Sequence, residues 1–292
     1  MAQRRHTVGL SDGRTLTVVE DGDPSGAPVI YHHGTPSAGR PYAAWARDAA
    51  ERGVRLIGYD RAGYGGSDRR AGRSVADVAD DVAAVAAALG CGRFATWGAS
   101  GGGPHALACA ALLDGCVAAA TFAGAAPYGE PDLDFLAGMG EDNVREFGAA
   151  LEGEDALRPL LEEFAAGVRA ATAEQLAEEM RTLLSPPDAA ALTGAIAEHM
   201  LGSFHAAIRP GVGGWLDDDL AFVRPWGFSL ADIAVPVQLW QGDQDLMVPR
   251  SHGAWLARHV PGADVRISPG DGHLTVVANH FGEVHAWLAA QL

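Results

Sequence analysis

Hydrophobic positions along this chain follow two rhythms. Short apolar runs ending in glycine-rich or polar turns recur at residues 29–33, 55–59, 93–97, 117–123, 237–240 and 264–267, as expected of strands buried on both faces. Between most of them apolar residues return every three or four positions, as in Val75, Val78, Val82, Val85 and Leu89, and again over 105–113. Such alternation predicts an α/β fold, a mostly parallel sheet covered by helices on both faces. Two further runs, 7–10 and 16–19, flank Ser11-Asp12-Gly13-Arg14, a hairpin signal that adds an antiparallel edge and brings the expected strands to eight. From 129 to 232 the strand pattern stops. Leu157, Leu160, Leu161, Phe164 and Val168, then Leu176, Met180 and Leu183, fall at helical spacing, and Thr172 three residues before Gln175 resembles a capping box. The expected organisation is a core of 1–128 and 233–292 interrupted by an all-helical insertion, 129–232.

With 292 residues, 48% of them hydrophobic, the chain can bury a large core, which excludes disorder as its main state. All 21 basic side chains are arginine. The lack of lysine removes Schiff-base chemistry, an internal pyridoxal phosphate linkage and a P-loop together. A formal charge of -16 with scattered arginines argues against nucleic acid, whose phosphates need a basic stripe. The charge is concentrated: residues 129–232 hold 20 acidic and 6 basic residues, net -14, against 17 and 15, net -2, elsewhere. Its acidic runs, Glu152 with Glu154 and Asp155, Glu162-Glu163, Glu178-Glu179 and Asp217-Asp218-Asp219, are expected to be solvated helix faces. Cys91, Cys109 and Cys116 lack CxxC or His spacing, so neither a disulfide framework nor a metal site is expected. No apolar h-region follows the N-terminus, and the longest apolar stretch, 105–127, is broken by Asp114-Gly115; a cytoplasmic protein without a membrane partner is expected.

Gly98-Ala99-Ser100-Gly101-Gly102 stands directly after one predicted strand and directly before a predicted helix. A serine on so sharp a turn needs small neighbours, and the helix N-terminus behind it leaves amide N–H groups free for an anion. A glycine-rich turn without chemistry is the competing assignment for this GxSxG match.

At this point the chain resembles the α/β-hydrolase superfamily, over nearly all of its length outside the helical insertion. His33-Gly34-Thr35-Pro36 is similar to the family's HGxP element, which implies an oxyanion hole built from the backbone N–H groups of Thr35 and Gly101. Gly242-Asp243-Gln244-Asp245, ahead of Val248-Pro249, resembles the family's G-x-x-D-x-x-V-P loop and implies Asp245 as the triad acid, with Asp243 as the competing carboxylate. Asp271-Gly272-His273 resembles the terminal histidine loop and implies His273 as the base. Asp60-Arg61-Ala62-Gly63-Tyr64-Gly65-Gly66-Ser67 resembles the superfamily's D-x-x-G-x-G-x-S turn, expected to shape its loop, with Tyr64 within reach of substrate. The insertion lies where caps of the superfamily lie. Tyr64, Phe135, Met139, Phe204, Trp215, Trp226 and Phe228 are candidates for lining the pocket below it, core packing being the competing assignment for each.

The resemblance implies a serine hydrolase cleaving the ester of a small, largely apolar molecule, with no metal or organic cofactor. A proline-iminopeptidase-like aminopeptidase, a cofactor-free perhydrolase or haloperoxidase, and a ligand-sensing relative without turnover remain as alternatives. Ala99 and Gly101 depart from the Trp-rich elbow of the first, and Gly101 from the Met that commonly follows the serine in the second.

Overall fold

In the computed structural model, which describes residues 3–292, the apolar runs pair into one eight-stranded sheet. Its strands are β1 (Arg4–Gly9), β2 (Thr15–Gly22), β3 (Ala27–His32), β4 (Val54–Tyr59), β5 (Phe94–Ala99), β6 (Cys116–Phe122), β7 (Val237–Gly242) and β8 (Asp264–Ser268), in the order β1-β2-β4-β3-β5-β6-β7-β8. β1 and β2 form the expected antiparallel hairpin, β2 also runs antiparallel to β4, and the strands from β3 to β8 are parallel. Because successive strand side chains point to opposite faces, Val29 and Tyr31 of β3 enter one core and Ile30 the other. The first core packs under α1 (Ala43–Glu51) and α11 (His273–Ala289). The second packs under α2 (Val78–Ala88), α3 (Gly102–Leu112) and α10 (Arg250–His259). Val29, Ile30, Leu56, Ile57 and Trp97 are fully buried; each aliphatic among them contributes about 1.5–3 kcal/mol of transfer free energy.

This order sets the position of a site. β4 and β5 lie on opposite sides of β3, so the loops leaving β3 and β5 diverge at a topological switch point. His32 is in register with Gly98, which sets the turns after both strands side by side at the C-terminal edge of the parallel strands.

Residues between β6 and β7 form α4 (Glu141–Glu152), α5 (Glu154–Ala170), α6 (Leu176–Glu179), α7 (Pro186–Ala191), α8 (Gly194–Ala207) and α9 (Gly213–Phe222), with no strand among them. Two expectations need correction here. The helical pattern through Leu183 holds only from Leu176 to Glu179, and residues 180–183 continue as turns before Pro186 opens α7. Nor are all the acidic runs solvated. Glu152, Glu154, Asp155, Glu162, Glu163, Glu178 and Glu179 are exposed, but Asp217, Asp218 and Asp219 are buried. Buried carboxylates require partners, and arginines outside the helical segment supply them to Asp217 and Asp218. No helix among the described residues is long and apolar enough to cross a membrane.

Candidate active site

Ser100 stands between β5 and α3 with φ of 54°, a left-handed conformation strained for any residue but glycine. Backbone bonds hold it there: its N–H donates to the Phe122 carbonyl and its own carbonyl accepts from Gly103 N–H, both at 2.8 Å. The turn closes backbone on backbone. A Cβ on Gly98 would lie 2.1 Å from the Gly102 oxygen, and one on Gly102 2.1 Å from the His32 oxygen. α3 starts at Gly102, so the N–H of Gly101 stands ahead of the first turn without an acceptor in its own helix.

Thr35 packs directly against this elbow. A Cβ at position 101 would come within 2.4 Å of Thr35 Oγ1 and 3.0 Å of the Phe222 ring. The Thr35 hydroxyl donates to Asp218 Oδ2 at 2.7 Å. Arg61, 2% exposed, donates to the carbonyls of His33 and Gly34, to Thr35 Oγ1 at 3.0 Å and to Asp218 Oδ2 at 2.6 Å. Tyr64 adds its hydroxyl to the same oxygen at 2.7 Å, and Arg73 Nη1 lies 2.6 Å from Asp218 Oδ1 as an ion pair outside hydrogen-bond alignment. His33 and His105 complete the packing, bonding to the carbonyls of Gly34 and Gly101 at 2.8 Å each. Burial, then the Arg61 charge, holds both imidazoles well below the ordinary histidine range.

Burial alone would keep Asp218 protonated; the charges of Arg61 and Arg73 outweigh it and hold the carboxyl well below its usual range. Its neighbours on α9 face other partners. Asp217 binds Arg69 bidentately at 2.7 and 3.0 Å, whereas Asp219 shares a buried site with Glu146 of α4, which accepts from Trp215 Nε1 at 2.7 Å. Burial pushes both carboxyls of this pair upward, and for Asp219 the neighbouring charges of Glu146 and Asp218 add to it. Asp218→Asn leaves two buried guanidiniums short of a counter-charge and should cost about 3–5 kcal/mol, read as a lowered urea midpoint at unchanged m-value.

Asp245 lies in the loop that follows β7, and His273 ends the loop that follows β8. Asp245 is buried; its Oδ1 accepts from the N–H groups of Met247 and Val248 at 2.8 and 2.9 Å, and its Oδ2 meets His273 Nδ1 at 2.8 Å and Gln241 Nε2 at 3.2 Å. Asp243 points away, accepting from Gly270 N–H at 2.8 Å at the surface. His273 opens α11. Burial would lower its imidazole, but the charge and hydrogen bond of Asp245, with a smaller contribution from Asp188, hold it above the ordinary value. The hydrogen bonds of His273 outside its helix go to Asp245 and Asp188. In free enzymes a serine–histidine bond is often long and tightens only with substrate.

The candidate pocket residues separate. Phe204 packs with Met247 of the acid loop and Leu274 beside His273, in a cluster drawn mainly from α6 to α8. Trp215 lies inside the helical segment, spent on Glu146. Phe135 and Met139 belong to the large core, where Phe135 packs on His252 at 4.9 Å. Trp226 and Phe228 stack on each other in that core at 5.8 Å, and the Tyr64 hydroxyl is spent on Asp218. Asp60 shapes its turn, accepting from the N–H groups of Gly39 and Gly66 at 2.8 and 3.0 Å. The sequence reading missed Arg61, Arg73, Asp188, Asp218 and Phe222. An acidic triplet set between Trp215-Leu216 and Leu220-Ala221-Phe222 was the one available signal.

Comparison with known proteins agrees with this architecture. Residues 27–279 match the family model of the alpha/beta hydrolase fold. A non-heme chloroperoxidase of Streptomyces lividans is 34% identical over 123 residues, 41% of this chain and 45% of that protein. A non-heme haloperoxidase of Rhodococcus erythropolis is 36% identical over 122 residues, 41% of this chain and 44% of that protein. The match thus spans less than half the length of either relative. A bromoperoxidase from Bacillus anthracis superposes with a TM-score of 0.72 at 22% identity, covering 98% of this chain and 100% of that one. An esterase from Rhodococcus sp. ECU1013 does so at 0.68 and 21%, covering 99% of each.

Proposed function

Because this chain belongs to the alpha/beta hydrolase fold family, we propose that it is a serine hydrolase cleaving a carboxylic ester of a small, largely apolar molecule. The observation that carries this is the left-handed Ser100 on a strand-to-helix turn, at the same sheet edge as a buried Asp245–His273 hydrogen bond of 2.8 Å. In this reading Ser100 Oγ attacks the acyl carbon while His273 Nε2 takes its proton. The carbonyl oxygen becomes an oxyanion facing the N–H groups of Thr35 and Gly101, and the imidazolium then protonates the departing alkoxide. Water, activated by the same imidazole, hydrolyses the acyl-enzyme. The helical segment 129–232 acts as a cap, and the cluster of Phe204, Met247 and Leu274 beside the base supplies an apolar wall.

A fluorophosphonate label on Ser100, followed by p-nitrophenyl esters of increasing chain length, tests the reading; labelling without hydrolysis of any ester would turn it toward a ligand-sensing protein. Since His273 must be neutral to accept a proton, and its imidazole is held above the ordinary value, kcat/KM should fall with decreasing pH around a midpoint above about 6.5. A midpoint well below that value would mean that Asp245 does not set the base.

A second reading has the support of two relatives, one named a non-heme chloroperoxidase and one a non-heme haloperoxidase. Attack on the acyl-enzyme by hydrogen peroxide in place of water would release a peracid and free serine, without a cofactor. Against it stands Gly101: any side chain there meets Thr35 Oγ1, so the elbow is built around glycine. Peracid formation from acetate and peroxide faster than hydrolysis of any ester would favour this reading.

A further inference from the structure

Asp188 is a further buried carboxylate of the helical segment, and every donor that reaches it is neutral. Its Oδ2 accepts from the N–H of His273 at 2.7 Å and from Ser185 Oγ at 2.9 Å. Its Oδ1 accepts from the N–H groups of Leu274 and Thr275 at 2.8 and 3.0 Å and from Thr275 Oγ1 at 3.3 Å. All five contacts bring a donor to the carboxyl, an arrangement suited to an acceptor-only group. We propose that Asp188 is a positioning residue for His273, fixing the main chain of the base and stabilising the positive charge that its imidazole acquires during turnover.

Asp188 caps α11 in place of a local residue: the N–H groups it accepts from are those of the first three helical residues, Gly272 ahead of them carries no capping side chain, and Thr275 Oγ1 accepts only from the N–H of Gly272 itself. It comes from α7, 85 residues before His273 in the chain, and the base loop is shaped to admit it. A Cβ on Gly272 would fall 2.2 Å from both Asp188 Oδ2 and Ser185 Oγ. No arginine cancels the charge, in contrast to Asp217 and Asp218. His273 therefore lies between two carboxylates, Asp245 on its ring and Asp188 on its backbone, and both charges raise its imidazole against the effect of burial. Asp271, the remaining carboxylate of that loop, is turned to Ser268 Oγ and Asn279 at 2.6 and 2.7 Å and lies 3.3 Å from His280. Through Asp188 the docking of the helical segment is coupled to the strength of the base.

The proposal rests on the reading of His273 as the base, so its test needs a readout apart from turnover: the NMR titration of the His273 ring in the full chain, beside the rate of Ser100 labelling by a fluorophosphonate. Asp188→Asn should lower the His273 midpoint by roughly one pH unit, the size expected on losing a nearby opposite charge, and lower kcat about tenfold with little change in KM. Asp188→Glu keeps the charge and should keep the midpoint near that of the parent protein. If the Asn variant does not fold, Ser185→Ala decides, because removing a donor from the carboxylate leaves its field less neutralised and should move the midpoint upward. An unchanged His273 titration in a folded Asp188→Asn, or in Ser185→Ala when that variant decides, overturns the proposal. Undiminished labelling in His273→Ala would instead overturn the assignment of the base.

Discussion

Ser100→Ala should reduce ester hydrolysis by roughly 10³- to 10⁶-fold while leaving the fold in place. The range reflects what remains when a nucleophile is removed from an otherwise intact site, because donors facing the oxyanion still favour attack by water. The fold should survive since the hydrogen bonds that hold residue 100 at φ of 54° are made by its backbone, to Phe122 and Gly103. Alanine accepts the same strained conformation at nearly the same cost as serine, both carrying a Cβ. Circular dichroism and the urea midpoint should therefore match the parent protein while the burst of p-nitrophenol disappears. Covalent labelling that persists in this variant would place the nucleophile elsewhere.

The elbow and the loop of Asp245 were legible because each follows an apolar run that forms a buried strand, whereas the loop of His273 follows β8, an edge strand with Asp264, Val265, Arg266 and Ile267 exposed, and was legible from its small and turn-forming residues alone. Gly98 and Gly102 carry a close approach of backbone to backbone, and Gly101 a close approach of the Thr35 and Phe222 side chains. The carboxylates supporting the site were hidden for the opposite reason. Asp217-Asp218-Asp219 reads as a solvated face within any local window, since its partners Arg61, Arg69 and Arg73 lie some 150 residues earlier in the chain. Ser185-Pro186-Pro187-Asp188 reads as the start of its own helix, and nothing local shows that its carboxylate serves α11. Helical periodicity identifies which face is apolar, but not which polar residue is drawn inward by a charge elsewhere. That is why the pocket candidates scattered: aromatic residues at helical spacing are pulled equally by a cavity and by a core, and Trp226 and Phe228 went to the core.

Asp245→Asn should lower kcat by about 10⁴-fold, the loss seen when a triad acid is replaced by its amide, whereas Asp243→Asn should leave kcat nearly intact. The geometry gives the reason atom by atom. Asp245 Oδ1 accepts from the N–H groups of Met247 and Val248, so the oxygen of an introduced Asn is drawn to that side and its NH₂ falls where Oδ2 meets His273 Nδ1 and Gln241 Nε2. The amide NH₂ then faces the ring N–H, donor against donor. His273 answers by moving its proton to Nε2, which leaves no lone pair there to take the proton of Ser100, and the imidazolium loses the carboxylate that stabilises it. Asp243 has one backbone partner, Gly270, in an exposed turn. Its replacement by Asn keeps an oxygen that can accept the same bond, so it should cost less than about 0.5–1.5 kcal/mol, the value of one ordinary hydrogen bond, and leave the tautomer of His273 untouched. Comparing kcat of the two variants on one ester decides the matter: if Asp243→Asn were the crippling change, the acid would lie two residues earlier and the Asp245–His273 contact would be structural.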